Sequence, residues 1–237
     1  MSYRVGRRCI LAGALVGSIG LFSPSGSAFA ASASTTTTSS AYMAGYVLSS
    51  PPASASAKDE FTVPTLTCPG GGIDVFGAFV FAPNGSKTGA GLVGFCDGPN
   101  HTPSWSATLF YDGGGQSFPF NSDAGDTIVA KVSESASGGE ISLRDVTLGK
   151  ARNIATPGAV NASLLVGMAN DNESSSPPAP ILPFSNVTFS SITIDKTSVS
   201  RAGAQACNMV NSSGVLQVMA GPLNSTGNGF TDYFKHL

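Results

Sequence analysis

Residues 186–194 have the sequence Asn-Val-Thr-Phe-Ser-Ser-Ile-Thr-Ile, and residues 127–132 have the sequence Thr-Ile-Val-Ala-Lys-Val. Apolar side chains recur at every second position in parts of both stretches, as at Val187 and Phe189 and at Ile128, Ala130 and Val132. Alternation of this kind is typical of a β-strand with one buried face, because successive side chains of a strand point to opposite sides of the sheet. No window of the chain shows apolar residues at helical spacing. The two stretches therefore predict an all-β protein.

Further short runs of apolar and β-branched residues lie on both sides of these stretches, separated by turn residues such as Pro-Asn-Gly at 83–85 and Ser-Gly-Gly at 137–139. The remaining runs are Ala44–Leu48, Glu60–Leu66, Ile73–Phe81, Ala90–Cys96, Ser104–Tyr111, Glu140–Thr147, Ala159–Met168 and Val215–Ala220. Many strands without crossover helices favour antiparallel pairing in two packed sheets. We expect residues 43–237 to form one antiparallel β-sandwich domain.

The first 30 residues have the features of an export signal. Arg4, Arg7 and Arg8 precede an apolar run from Cys9 to Phe22, and Ala28-Phe29-Ala30 resembles a signal-peptidase site. The apolar run is shorter than the roughly 20 residues that span a bilayer. The sequence thus predicts a secreted protein without a membrane anchor after cleavage. Residues 31–42, rich in Ser and Thr, are expected to form a low-complexity tether without fixed structure.

The composition excludes several classes of function. Charged residues make up 11% of the chain, and the formal net charge is −2. The sequence contains no basic cluster with interleaved aromatic residues, so nucleic acid is not an expected partner. The chain has two His, four Cys and neither a CxxC nor an HExxH motif, so no metal site and no cofactor are predicted.

Three cysteines remain after the predicted cleavage, in a compartment that favours disulfides. Cys68 and Cys96 lie at the ends of neighbouring predicted strands, so we expect them to pair. Cys207 is then expected either to keep its thiol or to form a transient disulfide. No neighbouring His with an orienting group points to a nucleophilic role for Cys207.

Several motifs resemble those of the glutamic peptidases, the eqolisin family of secreted acid endopeptidases. The matching segments, in the family's order, are Ala44–Val47, Phe61–Cys68, Ala124–Ile128, Leu143–Gly149 and Leu182–Phe189. The resemblance implies two curved antiparallel sheets, like those of the concanavalin A, lectin and glucanase sandwiches, with a substrate cleft on a concave face. It also implies an acid hydrolase in which one Glu activates water and a facing Gln stabilises the oxyanion.

The catalytic positions that the resemblance implies hold other residues. The Gln position falls on or near Ala90, and the Glu position falls on Ser163. After the predicted cleavage, no Gln precedes Gln116, and no Glu lies between Glu140 and Glu173. Glu173 is the nearest substitute acid. Its Asn- and Ser-rich surroundings are typical of a solvated loop, where a carboxylate usually has no catalytic role.

The resemblance also indicates which side chains would line the cleft. These are Ala90, Trp105, Ala107, Leu109, Tyr111 and Ser163, with Trp105 either lining the cleft or closing the core. Small and apolar residues thus replace the groups that would bind and cut peptides. The prediction is a secreted monomer that has lost hydrolysis and binds an extracellular polypeptide or glycan in the cleft. The alternative is an active acid endopeptidase whose Glu/Gln pair has moved.

Overall fold

The computed structural model describes residues 37–70, 72–83, 86–97, 102–111, 114–118, 120, 122–158, 161–170 and 180–235. The predicted export signal, residues 1–30, and the substitute acid Glu173 lie outside the described residues. The elements are β1 (Thr38–Ser40), β2 (Met43–Ser49), β3 (Ser54–Thr62), β4 (Ile73–Phe81), β5 (Lys87–Asp97), β6 (Thr102–Tyr111), β7 (Gly114–Phe118), β8 (Thr127–Ser135), β9 (Gly139–Asp145), β10 (Lys150–Thr156), β11 (Ser163–Ala169), β12 (Val187–Ile194), α1 (Val199–Ala202), β13 (Gln205–Val210), β14 (Leu216–Ala220) and β15 (Phe230–Phe234).

The strands form one curled sheet that folds over itself into two layers. Its order is β10-β9-β8-β3-β12-β15-β14-β13-β2-β11-β4-β5-β6-β7, with β1 pairing β13. All pairs on this path are antiparallel, and β1 with β13 is parallel. Strands β4 and β5 of the first layer pack against β8 and β9 of the second. The predicted antiparallel β-sandwich is confirmed, with its layers joined by continuous hydrogen bonding.

The core lies between the two layers. Its largest side chains are aromatic: Phe61 contacts Phe76 and Phe189 at ring-centroid distances of 6.3 and 5.4 Å. Phe189 in turn stacks on Phe230 at 5.0 Å. The disulfide Cys68–Cys96, predicted from the sequence, joins the segment before β4 to the end of β5. Within the described ranges, no helix is long and apolar enough to cross a membrane.

Part of the predicted tether has regular structure. Thr38–Ser40 forms β1 and pairs with Cys207–Met209 of β13, and the Thr38 hydroxyl donates to the carbonyl of Ala206 at 3.3 Å. The expectation of a structureless tether is therefore wrong for these three residues. β-Branched Thr suits an extended backbone, and β13 supplies the hydrogen-bond partners that the composition of residues 31–42 could not reveal.

Candidate functional site

The first layer is strongly curved, and four glycines lie where it bends. Gly167 of β11 is opposite both Gly45 of β2 and Gly77 of β4, and Gly77 is opposite Gly91 of β5. A Cβ atom at Gly45 would collide with the carbonyl of Val166, and one at Gly167 with the carbonyl of Ala44. Without side chains at these positions, neighbouring backbones approach closely and the sheet can curl towards the face that carries the glycines. We call this side of β2, β11, β4, β5 and β6, which points away from the second layer, the concave face.

Apolar side chains pack against one another on the concave face. They form a second buried cluster of Val47, Val75, Phe79, Phe81, Val93, Phe110, Leu165, Ala169 and Cys207. The Phe79 ring lies 5.9 Å from that of Phe110 and 6.5 Å from that of Phe81. Phe79 also covers Gly91, since a Cβ there would lie 2.8 Å from its ring. Phe79 and Leu165 are 0% exposed, so this surface is packed like a core.

The structure does not bring Ala90 and Ser163 together. Ala90 is opposite Ala78 and Leu109, and its side chain is buried between the layers. Ser163 is opposite Phe81, which belongs to the concave face. Alternation along the strands therefore directs the two side chains to opposite sides of the sheet.

The residue of β5 that shares a row and a face with Ser163 is Lys87. Phe81 lies between them, because it is opposite Ser163 on β11 and Lys87 on β5. The Lys87 ammonium lies 4.4 Å from the centre of the Phe110 ring. An aromatic ring and a cation thus occupy the row in which a carboxyl and a carboxamide would be expected to face each other.

Four of the other residues predicted to line a cleft lie on β6 and face the second layer. Ala107 and Leu109 are buried in the core, while Trp105 and Tyr111 are half-buried and pack against it. The Trp105 ring lies 6.1 Å from that of Phe76, so Trp105 closes the core. The expectation of one cleft lined by Ala90, these four residues and Ser163 therefore needs correction, because only Ser163 is on the concave face.

On the strands of the concave face, Asp74 is the one acidic residue whose side chain the structure describes, and it points to the core. Asp59, Asp74, Glu134, Asp145 and Asp232 are buried on the opposite side, towards the core. Glu60 and Glu140 line a depression on the outer surface of the second layer. Gln205 is opposite Val47 and therefore lies on the concave face, without a described carboxyl beside it. The face has no described acid to activate water.

Elsewhere, the carboxamide of Asn161 contacts Glu134, but through the backbone of Glu134 and not its carboxyl. The Asn161 amide donates to the backbone carbonyl of Glu134 at 3.2 Å, while the Glu134 carboxylate accepts from the Thr156 hydroxyl at 2.7 Å and from the Ser135 N–H at 3.3 Å. Glu134 is 1% exposed. Both carboxylate oxygens accept hydrogen bonds and are buried. The arrangement therefore stabilises the end of β8 and does not form a hydrolytic pair.

Three aspartates in the core lack full hydrogen bonding. Both carboxyl oxygens of Asp59 and of Asp232 have no partner among the described residues. Asp74 accepts the Leu182 N–H at 3.1 Å through one oxygen and leaves the other unpaired. Burial raises the pKa of all three well above the usual value of an aspartate. All three are 0% exposed. They therefore affect the stability of the fold and do not contact a substrate.

The apolar packing of the concave face was not predicted from the sequence, although the sequence of β4 indicates it. The run Ile-Asp-Val-Phe-Gly-Ala-Phe-Val-Phe of β4 is almost continuously apolar, unlike the alternating β8 and β12. A run of this kind indicates a strand that is buried on both faces. The second buried face of β4 is the concave face.

Solved structures of other proteins have the same fold as this chain. The chain is similar to scytalido-glutamic peptidase, seen in complex with a peptide-based transition-state analogue, with a TM-score of 0.65, 16% identity and coverage of 81% of this chain and 97% of that chain. It is also similar to SCP-B, an eqolisin peptidase in complex with the tripeptide Ala-Ile-His (TM-score 0.63, 15% identity, coverage 81% and 97%). For aspergilloglutamic peptidase of Aspergillus niger the TM-score is 0.51 at 16% identity, with coverage of 77% and 99%. The fold is that of the glutamic peptidases.

The family follows from the sequence itself. The profile of the Peptidase A4 family matches residues 41–226, and the chain belongs to this family. The resemblance found in the sequence motifs is thereby confirmed. No curated protein sequence gives a significant match to the chain.

Proposed function

We propose that this protein is an exported, non-hydrolytic member of the Peptidase A4 family that binds an extracellular polypeptide or glycan without cutting it. The observation that carries the proposal is the concave face. It has no described carboxyl, and Phe79, Phe81 and Leu165 fill it. Hydrolysis of an amide by this type of chemistry requires an accessible carboxyl that transfers protons.

Export is supported by residues 1–30, whose basic start, apolar run and Ala-Phe-Ala sequence form a typical leader. The proposed mature protein begins near Ala31 and is a monomer. Mass spectrometry of the protein recovered from culture medium tests the cleavage site, and light scattering tests the monomer.

The test of non-hydrolysis uses residues 31–237 incubated with denatured casein between about pH 2 and 7, the range in which carboxyl groups titrate. We expect no fragments, while scytalido-glutamic peptidase, as a positive control, degrades the casein. Fragments above those of a mock purification would refute the proposal. The variant Glu173→Gln would then show whether Glu173 is the acid of a relocated catalytic pair.

A further inference from the structure

Strand β10 forms one end of the curled sheet. Among the described strands it pairs only with β9, through the register Lys150–Thr156 with Gly139–Asp145. Residues 150–153 and 155 are exposed. The side of β10 away from β9 therefore presents backbone N–H and C=O groups to which another extended chain can pair.

Two depressions adjoin this strand, one on each face of the sheet. A depression of about 570 Å³ on the outer face includes Lys58, Lys131, Arg144 and Asn153. A depression of about 390 Å³ on the inner face is lined by Phe118, Phe120, Lys150, Ala151 and Arg152. Because side chains of a strand alternate between faces, a strand added to β10 would direct successive side chains into the two depressions.

The charge around β10 is predominantly positive. Lys58 of β3 and Lys131 of β8 lie opposite each other in the outer depression, three and two strands away from β10. On the inner face the Arg152 guanidinium lies 5.7 Å from the Phe118 ring centre, next to Lys150. On β10 and its neighbour β9, the three cationic residues Lys150, Arg152 and Arg144 line the two depressions, against the one acidic residue Glu140. The whole chain, in contrast, has a net charge of −2.

We propose that β10 is the docking edge for an extended acidic polypeptide, which adds to the sheet as a further strand. This inference rests on the binding part of the proposed function and names the partner and the surface. The free backbone edge matches a peptide main chain, and the cations match carboxylate side chains. A second copy of this chain is a poorer match, because pairing two β10 strands would bring the Lys150 and Arg152 residues of both copies to one edge.

The experiment measures binding of fluorescein-labelled acetyl-(Glu-Val)₄-amide to residues 31–237 by fluorescence anisotropy at low salt. We expect saturable binding, at least tenfold weaker for the double variant Arg144→Glu, Arg152→Glu. The matched control Arg201→Glu, Lys235→Glu makes the same change in net charge at exposed positions far from β10 in sequence, and should leave binding unchanged.

The peptide supplies controls that do not depend on folding of the variants. The corresponding (Lys-Val)₄ peptide should not bind, and N-methylation of alternate residues of the Glu-Val peptide should abolish binding, because it removes main-chain donors. Absence of saturable binding, equal weakening by both double variants, or binding that tolerates N-methylation would each overturn the inference. So would dimerisation of the protein through β10, measured by light scattering and lost in the Arg144→Glu, Arg152→Glu variant.

Failure of this inference is distinguishable from failure of the proposed function. The protein could bind an extracellular polypeptide equally well with and without the double substitution Arg144→Glu, Arg152→Glu. That result would leave the proposed function in place and exclude the β10 edge as the binding surface. Cleavage of casein would refute the proposed function, whatever the peptide measurement shows.

Discussion

At the scale of single residues, the row Gly45, Gly167, Gly77 and Gly91 allows neighbouring backbones of the first layer to approach closely. Gly45 has φ of +125° and Gly167 has φ of +141°, conformations that L residues with a side chain rarely adopt. The row also leaves the space that Phe79 occupies. The close approach of the backbones and the packing of Phe79 therefore both involve this row of glycines.

Gly167→Ala should reduce the free energy of unfolding by about 2–4 kcal/mol, because it adds a Cβ next to the carbonyl of Ala44 in an unfavourable backbone conformation. Urea denaturation measures the change. The control is Gly70→Ala, since nothing lies within 4 Å of a Cβ at Gly70. Equal effects of the two substitutions would show that the glycine row has no special role.

A second residue-scale feature is the irregularity in the middle of β12. The sequence 186–194 changes phase at Ser190-Ser191, and the structure has a register shift between Ser190 and Thr193 with Ser191 at φ of 52°. The shift allows both Phe189 and Ile192 to be buried although they are three residues apart. Such a bulge accommodates one extra residue, so that apolar side chains before and after it point to the same side of the sheet.

At the scale of elements, most apolar strands were predicted, while the polar edge strands β7 and β10 and the interior strands β13 and β15 were not. Ile73–Phe81 was predicted with the bounds that the structure shows. Strands β7 and β10 were missed because their sequences, Gly-Gly-Gln-Ser-Phe and Lys-Ala-Arg-Asn-Ile-Ala-Thr, have no strong apolar alternation. Edge strands are defined by pairing with a neighbour, so their side chains need not show a buried face.

The disulfide links two elements, the segment before β4 and the end of β5, across 28 residues of sequence. Replacing Cys68 and Cys96 together by Ala should lower the free energy of unfolding by about 3–4 kcal/mol, because the unfolded chain gains the entropy of an open loop. Guanidinium denaturation of the double variant tests this. Reduction of the native protein with dithiothreitol serves as the control and should produce a similar loss. An unchanged denaturation midpoint would contradict the prediction.

At the scale of the whole molecule, the three buried aspartates make stability depend on pH. Burial raises the pKa of Asp59, Asp74 and Asp232 in the folded state above the value of about 3.9 in an unfolded chain. Below that value both states hold the protons. As the pH rises above about 4, the unfolded chain releases them and the folded chain keeps them, so the free energy of unfolding decreases.

We therefore expect the protein to be more stable at pH 4 than at pH 7, with a slope of up to about 1.4 kcal/mol per pH unit for each of these carboxyls. Thermal denaturation between pH 3 and 8 measures the dependence. Asp59→Asn should flatten it, while Asp123→Asn, at an exposed turn, should leave it unchanged. A stability maximum near pH 7 for the native protein would contradict this account.

The sequence by itself determined the all-β class, the disulfide and the family, because alternation, cysteine position and motif order are local properties of the chain. It also predicted that the catalytic positions implied by the family resemblance fall on or near Ala90 and on Ser163. Only the tertiary structure decided that these two side chains point to opposite faces, that Phe79 and Phe81 close the concave face, and that β10 is an open edge. Each of these depends on strand register and sheet curvature, which arise from pairing between residues far apart in the sequence.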